Sequence, residues 1–322
     1  MNKQSKKISE PLLKYNLKEI LNLIDIYTIG ILFLYTLLSI VFFKVVVDAR
    51  AYVFINLFII TSIITLATIV EKYNAGSFFK PVRYLYVIPL IFYIYTQTQI
   101  YVRTVNPNDL DWLLIKWDVA LFGGNPADFL EKFATPWLTE FLQFSYMMFF
   151  VMPVAVSLEL YIKKDAKDYV AFTRVIAFGF FFSYLLYFFI PAVGPRFTLY
   201  DFNLLNTELP GVFLTDFMRE LVNVGGGIKH SVPLAPIDAV NRDCMPSGHT
   251  MITIINIWLS FKNRSSFRWL IAFIGTSLIV ATVYLRYHYV VDLIAGAFFA
   301  ILVIWLEPKI RDAFKKIGFK LA

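Results

Sequence analysis

Apolar residues run through this chain in long stretches, and polar residues are confined mostly to the gaps between them. A helix that crosses a membrane needs about 20 consecutive, mostly apolar residues. By that measure the pattern predicts eight spans: Ile26–Phe43, Ala51–Val70, Tyr84–Val102, Phe141–Leu158, Val175–Pro195, Met245–Phe261, Trp269–Leu285 and Tyr289–Leu306. The first two carry no charge. The third ends in Thr96, Gln97, Thr98 and Gln99, so this end is expected to face other helices rather than lipid. The sixth carries Ser247, His249, Asn256 and Ser260, and the eighth carries Asp292.

Two longer mixed segments interrupt the spans. Arg103–Glu140 contains "NDLDWLLIKWDVALFGGNPADFLEKFATPW", with apolar residues at helical spacing between acidic ones. Trp112, Trp117 and Trp137 suit a membrane interface. One or two short helices lying along the surface are predicted, broken at Gly123-Gly124, with Asp111 and Asp118 on their solvated face. In Arg196–Asp243, Lys229 and His230 follow Gly225-Gly226-Gly227 and read as incidental charges of a flexible loop; Arg242 and Asp243 read as loop residues. No internal repeat divides the chain. The expectation is an all-α, polytopic membrane helical bundle of one domain: N-terminal spans over 1–103, interfacial helices over 104–140, a core over 141–306 and a basic tail over 307–322.

Composition strengthens this reading. The chain is 58% hydrophobic and 16% charged, against about 45–50% apolar residues in soluble domains. Its net charge of +7 does not require a nucleic-acid partner, because basic residues mark cytoplasmic loops of membrane proteins. Eight spans put both termini on one side, and two thirds of the 30 Lys and Arg residues fall there. The termini are therefore expected in the cytoplasm. The clusters Lys3/Lys6/Lys7, Lys163/Lys164/Lys167 and Lys315/Lys316 serve as topology signals. A single cysteine, Cys244, excludes an intrachain disulfide and reads as a small apolar residue.

Three fragments then fall on one face, the outer one. Arg196 in "IPAVGPRF" ends the fifth span, His249 in "DCMPSGHT" opens the sixth, and "YLRYHYVVDLIAG" covers the turn between the seventh and eighth. His288 and Asp292 stand one helical turn apart and share a face. A carboxylate there can take the proton of one imidazole nitrogen and leave the other with its lone pair. Ser247 can cap the sixth helix, and Gly248 permits close backbone approach. Helix N-termini bind anions. His249 beside such an anion can protonate a leaving group, and the planar fork of Arg196 matches phosphate oxygens. Together these residues point to phosphoryl transfer through a phosphohistidine.

"CMPSGHT" and "YHYVVDLIAG" resemble the second and third motifs of the type 2 phosphatidic acid phosphatase superfamily, and their separation fits it. "HYVVDLIAG" and the upstream "WDVALFGGNPADFL" resemble the branch that contains inositol phosphorylceramide synthase. The resemblance covers about Asp111 to Gly296. It implies a six-helix phosphatase-type core, His288 as nucleophile, Asp292 as its orienter and His249 as acid and base. It further implies that Ser247, Gly248 and Arg196 bind phosphate, with neither metal nor cofactor. Where that superfamily has a lysine ahead of an Arg-Pro pair, this chain has Phe189, and Phe197 replaces the proline. Ala281 and Thr282 replace a Ser-Arg pair of the third motif. Arg286, near His288, is the candidate replacement for the missing basic groups.

Three functions follow as alternatives. The first is hydrolysis of lipid phosphate esters on the outer face of the membrane. The second is transfer of a phospho-headgroup to a second lipid alcohol. The third is ion or proton-coupled transport through His249, His288 and Asp292, against which their clustering at one face argues, since transport sites lie nearer the midplane. Structural alternatives remain beside these: a buried His288–Asp292 pair, an interfacial Arg196 or Arg286, or a metal site, since two histidines and a carboxylate suit zinc or non-haem iron.

Overall fold

The computed structural model describes residues 16–73, 76–163, 166–228 and 235–319. Lys3, Lys6, Lys7, Lys164, Lys229 and His230 lie outside the described residues. The described chain is helical and contains no strand. In order, its helices are α1 (Leu17–Ile20), α2 (Leu23–Val41), α3 (Ala49–Tyr73), α4 (Gly76–Leu85), α5 (Val87–Val105), α6 (Asp111–Phe122), α7 (Pro126–Glu131), α8 (Pro136–Met147), α9 (Val151–Lys163), α10 (Ala166–Leu186), α11 (Pro195–Thr198), α12 (Leu205–Glu208), α13 (Thr215–Gly225), α14 (Pro236–Ala239), α15 (Gly248–Lys262), α16 (Arg268–Tyr284) and α17 (Val290–Lys316).

Helices occupy seven of the eight expected spans over most of their length, but the fifth is displaced: α10 covers Ala166–Leu186, and residues 187–194, between it and Arg196, are not helical. Five segments are long and apolar enough to cross a membrane, and a sixth is the pair α8 and α9, which meet at a 50° bend. The protein is thus a multi-pass integral membrane protein. Helices α15 and α16 are shorter, at 15 and 17 residues. Local chemistry sets many of the boundaries. Asn22 and Asp25 form a reciprocal capping box at the start of α2. Asn125 caps α7 and Thr135 caps α8, each followed by proline in the first helical turn. Gly123, at φ 76°, ends α6 where the break was expected.

The chain divides into two compact units. The first comprises Met1–Gln97 and Trp305–Ala322. In it Asp25 accepts from both guanidinium arms of the buried Arg83. Asn56 and Gln97 exchange two amide hydrogen bonds of 3.0 Å. Gln97 is therefore turned toward another helix, as its polarity in an apolar span demands. The second unit, Thr98–Ile304, contains every candidate site residue. Here α16 packs against α8 and α15, and α10 against α9 and α15. A core of Leu142, Tyr146, Leu205, Leu209, Ala281, Tyr284, Leu285 and Tyr287 lies between α8, the α12 region and the end of α16.

Candidate active site

Three chain segments build the site. Ser247 caps α15, its hydroxyl oxygen accepting from the Thr250 amide at 3.2 Å, so Gly248 and His249 open the helix. The start of α17 is pressed against this point: the Ser247 amide donates to the Asp292 carbonyl at 3.0 Å. Gly296 allows the approach, since a β-carbon there would lie 2.6 Å from the Ser247 carbonyl oxygen. Between α16 and α17 the chain turns sharply. Arg286 takes a left-handed φ of 63°, and the amides of Tyr287 and His288 both donate to the Thr282 carbonyl. The third segment enters at Gly194, φ 97°, where a β-carbon would stand 2.5 Å from the Tyr287 carbonyl oxygen; the next-but-one amide, of Arg196, donates to the Arg286 carbonyl at 2.9 Å.

These packings bring His249, His288 and Asp292 together. His288 Nδ1 lies 3.0 Å from the Cys244 carbonyl oxygen and 3.4 Å from Asp292 Oδ2. A carbonyl oxygen only accepts, so Nδ1 carries the hydrogen in the neutral imidazole and Nε2 keeps its lone pair. Nε2 faces His249, 3.4 Å from its Nδ1. The His249 ring stacks on Tyr146, with centroids 4.5 Å apart, and packs against Phe149 at 4.3 Å. Tyr146 in turn packs on Tyr287 at 4.5 Å. The buried Arg196 guanidinium lies over the Tyr287 ring at 4.7 Å, and its Nη1 donates to Asn223 Oδ1 at 2.9 Å. A continuous stack thus runs from His249 through two tyrosines to Arg196.

Cys244 is more than a small apolar filler. Its thiol donates to Asp292 Oδ2 at 2.7 Å, while the Tyr289 amide donates to the same oxygen at 3.0 Å. Ligand atoms of Cys244, His288 and Asp292 lie within 4.8 Å of one another, close enough to converge on a metal ion. A cysteine binds metal as thiolate. Burial, and then the nearby Asp292, push the Cys244 thiol well above its ordinary range, and its contact with Asp292, together with that of His288, makes the trio a hydrogen-bonded set.

Asp111 and Asp118 correct the sequence reading. Neither is solvated: both are buried on one stripe of α6 with Leu114. Asp111 accepts from the Val193 and Gly194 amides at 3.0 and 2.9 Å and from the Tyr289 hydroxyl at 2.9 Å. Asp118 accepts from the Val290 and Val291 amides, both at 2.9 Å, capping the first turn of α17. Burial raises both carboxyl groups, and these backbone hydrogen bonds oppose the rise. Helix α6 therefore clamps the segment before Arg196 and the turn after His288. Its outward face still carries the exposed Trp112 and Trp117.

Arg286 is differently committed than expected. Its two terminal nitrogens pair with Glu208 and Glu131, the latter at 2.9 Å, and its guanidinium lies 3.6 Å over the Tyr200 ring. Two of its five N–H donors are thus committed to carboxylates. Arg286 ties α7 and α12 to the turn that carries His288. In the neighbouring loop Arg242 forms a two-pronged pair with Asp109, both contacts 2.9 Å. Tyr146, Phe149, Asn223 and the Cys244 carbonyl were not singled out in the sequence. Gln143, an amide within an apolar run and the acceptor of the Tyr287 hydroxyl at 3.2 Å, is the available signal that this face of α8 meets protein.

No curated protein and no solved structure gives a significant match to this chain. A family model, that of the PAP2 superfamily, matches residues 113–306. The match spans α6, most of whose length it includes, both histidine motifs and Asp292. With more than half of the sequence matched, the chain belongs to the PAP2 superfamily.

Proposed function

We propose that this protein is a membrane phosphatase that hydrolyses lipid phosphate esters through a phosphohistidine on His288. The observation that carries this reading is the pairing of His288: Nδ1 is engaged by the Cys244 carbonyl and Asp292, and Nε2 faces His249. In the first step Nε2 attacks phosphorus and the phosphorus–oxygen bond to the lipid breaks, with His249 giving its proton to the departing alkoxide. Asp292 stabilises the positive charge that develops on His288. The Ser247 hydroxyl, the Gly248 amide at the first turn of α15, and Arg196 hold the phosphate oxygens. In the second step His249 removes a proton from water, which attacks phosphorus, and the nitrogen–phosphorus bond breaks to release phosphate. The positive-inside pattern supports a site on the outer face, with both termini cytoplasmic.

Transfer to a second lipid alcohol uses the same intermediate. The observation favouring it is the aromatic wall of Tyr146 and Phe149 against His249, which limits water on that side. A panel of ³²P-labelled lipid phosphates, assayed with and without acceptor lipid alcohols, decides between the two. Free phosphate is expected with the wild-type protein in both arms; label moving into the acceptor lipid would establish transfer. His288→Ala should lower turnover by at least about 10⁴-fold, and an active variant overturns both readings.

A further inference from the structure

We infer that α13 is a membrane-surface helix, seated with one face in the leaflet on the side of the catalytic site. Residues Leu214, Phe217, Leu221 and Val224 recur at three- and four-residue spacing and are exposed along one arc, together with Phe213. Phe213 is 78% and Phe217 62% exposed, whereas Arg219 on the other side of the helix is 3% exposed. Asp216 and Glu220 lie between the apolar arc and the buried face, so the helix presents separate faces to protein, apolar surroundings and water.

Two contacts make the bilayer the occupant of the apolar arc. Glu140, in the second turn of α8, accepts from the amides of Val212, Phe213, Leu214 and Thr215 at 2.7–3.2 Å, and from the Thr215 hydroxyl. That fixes the start of α13 at the level where α8 begins, and α8 is half of the bent pair that enters the membrane. Trp137, exposed in the first turn of α8, meets the Phe213 ring edge-on with centroids 5.9 Å apart. Exposed tryptophans at the ends of membrane helices lie at the lipid–water boundary, and Phe213 continues that surface onto α13. The inward side of α13 carries Asn223, the hydrogen-bond partner of Arg196. The seat of the helix in lipid therefore also sets where Arg196 is held, a consequence that rests on the phosphatase reading while the seating itself does not.

Nitroxide labels at Phe217→Cys, Leu221→Cys and Asp216→Cys, in protein reconstituted into phosphatidylcholine vesicles, test the seating by power-saturation spectroscopy. The native Cys244 is buried, so wild-type protein serves as the unlabelled control. Labels at 217 and 221 are expected to be relaxed more by oxygen than by a water-soluble nickel chelate, and the label at 216 the reverse. Greater nickel accessibility at 217 and 221 would place the face in water. Accessibility to neither reagent would mean that another protein chain covers it. Either result overturns the inference. Leu214→Cys lies on the same arc and replaces any variant that fails to fold.

Discussion

His288 illustrates how one side chain draws its properties from several distant atoms. Its hydrogen on Nδ1 is fixed first by the Cys244 carbonyl at 3.0 Å and less closely by Asp292 at 3.4 Å. Since the backbone carbonyl survives substitution of Asp292, Asp292→Asn is expected to keep the correct tautomer and lose mainly charge stabilisation. Its turnover should fall by roughly 10²–10³-fold, measurably less than that of His288→Ala. A loss equal to that of His288→Ala would show that the carbonyl does not hold the ring. Cys244, buried and donating to Asp292, stays a neutral thiol at neutral pH because burial and the nearby carboxylate raise it. The thiolate is the reactive form. Native protein should therefore resist N-ethylmaleimide at pH 7 and react fully after denaturation in dodecyl sulfate, as read by intact mass.

At the scale of elements, α6 and α17 show that a helix end can be stabilised from far away in sequence. The first amides of any helix lack partners within it, and at α17 two are supplied by Asp118. Removing the carboxylate leaves these donors unpaired next to the turn that positions His288. Asp118→Ala is expected to cost about 1–3 kcal/mol, seen as a lowered Tm, whereas Asp118→Asn keeps one acceptor and should lose less. Equal stability of wild type and Asp118→Ala would exclude the cap. The same logic explains the pairing of Arg286 with Glu131 and Glu208: it ties the segments α7 and α12 to the turn that carries His288.

For the molecule as a whole, membrane insertion depends on how the shorter helices behave. At 1.5 Å per residue, α16 is about 26 Å long, close to the roughly 30 Å hydrocarbon layer. If α15 and α16 both cross, the number of spans is even and both termini lie on the same side. Single cysteines at Leu17 and Lys316 should then be labelled by an impermeant maleimide from the cytoplasmic side only, and one at Gly124 from the opposite side only. Gly124 has open space around its Cα, so the substitution is compatible with the fold. Labelling of positions 17 and 316 from opposite sides would show an odd number of crossings.

The sequence alone determined the all-α membrane architecture, the approximate places of most of its long apolar helices, and the placing of His249, His288 and Asp292 at helix ends. Those features are local: the length of an apolar run, a serine before a helix, and two polar residues one turn apart each act through neighbouring residues. Tertiary structure alone decided what surrounds the histidines. A carboxylate on an amphipathic helix has the same periodicity whether its face meets water or protein, so the pattern of α6 does not distinguish a solvated Asp111 and Asp118 from the buried pair that its packing on the site creates. The Cys244 carbonyl carries no side-chain signal at all. Tyr146 belongs to an apolar run in which any aromatic residue fits, and only the packing of α8 beside α15 and the turn after α16 brings its ring between His249 and Tyr287. Arg286 was read by its nearness to His288 in sequence, but a long side chain goes where its counter-charges are, and those come from α7 and α12.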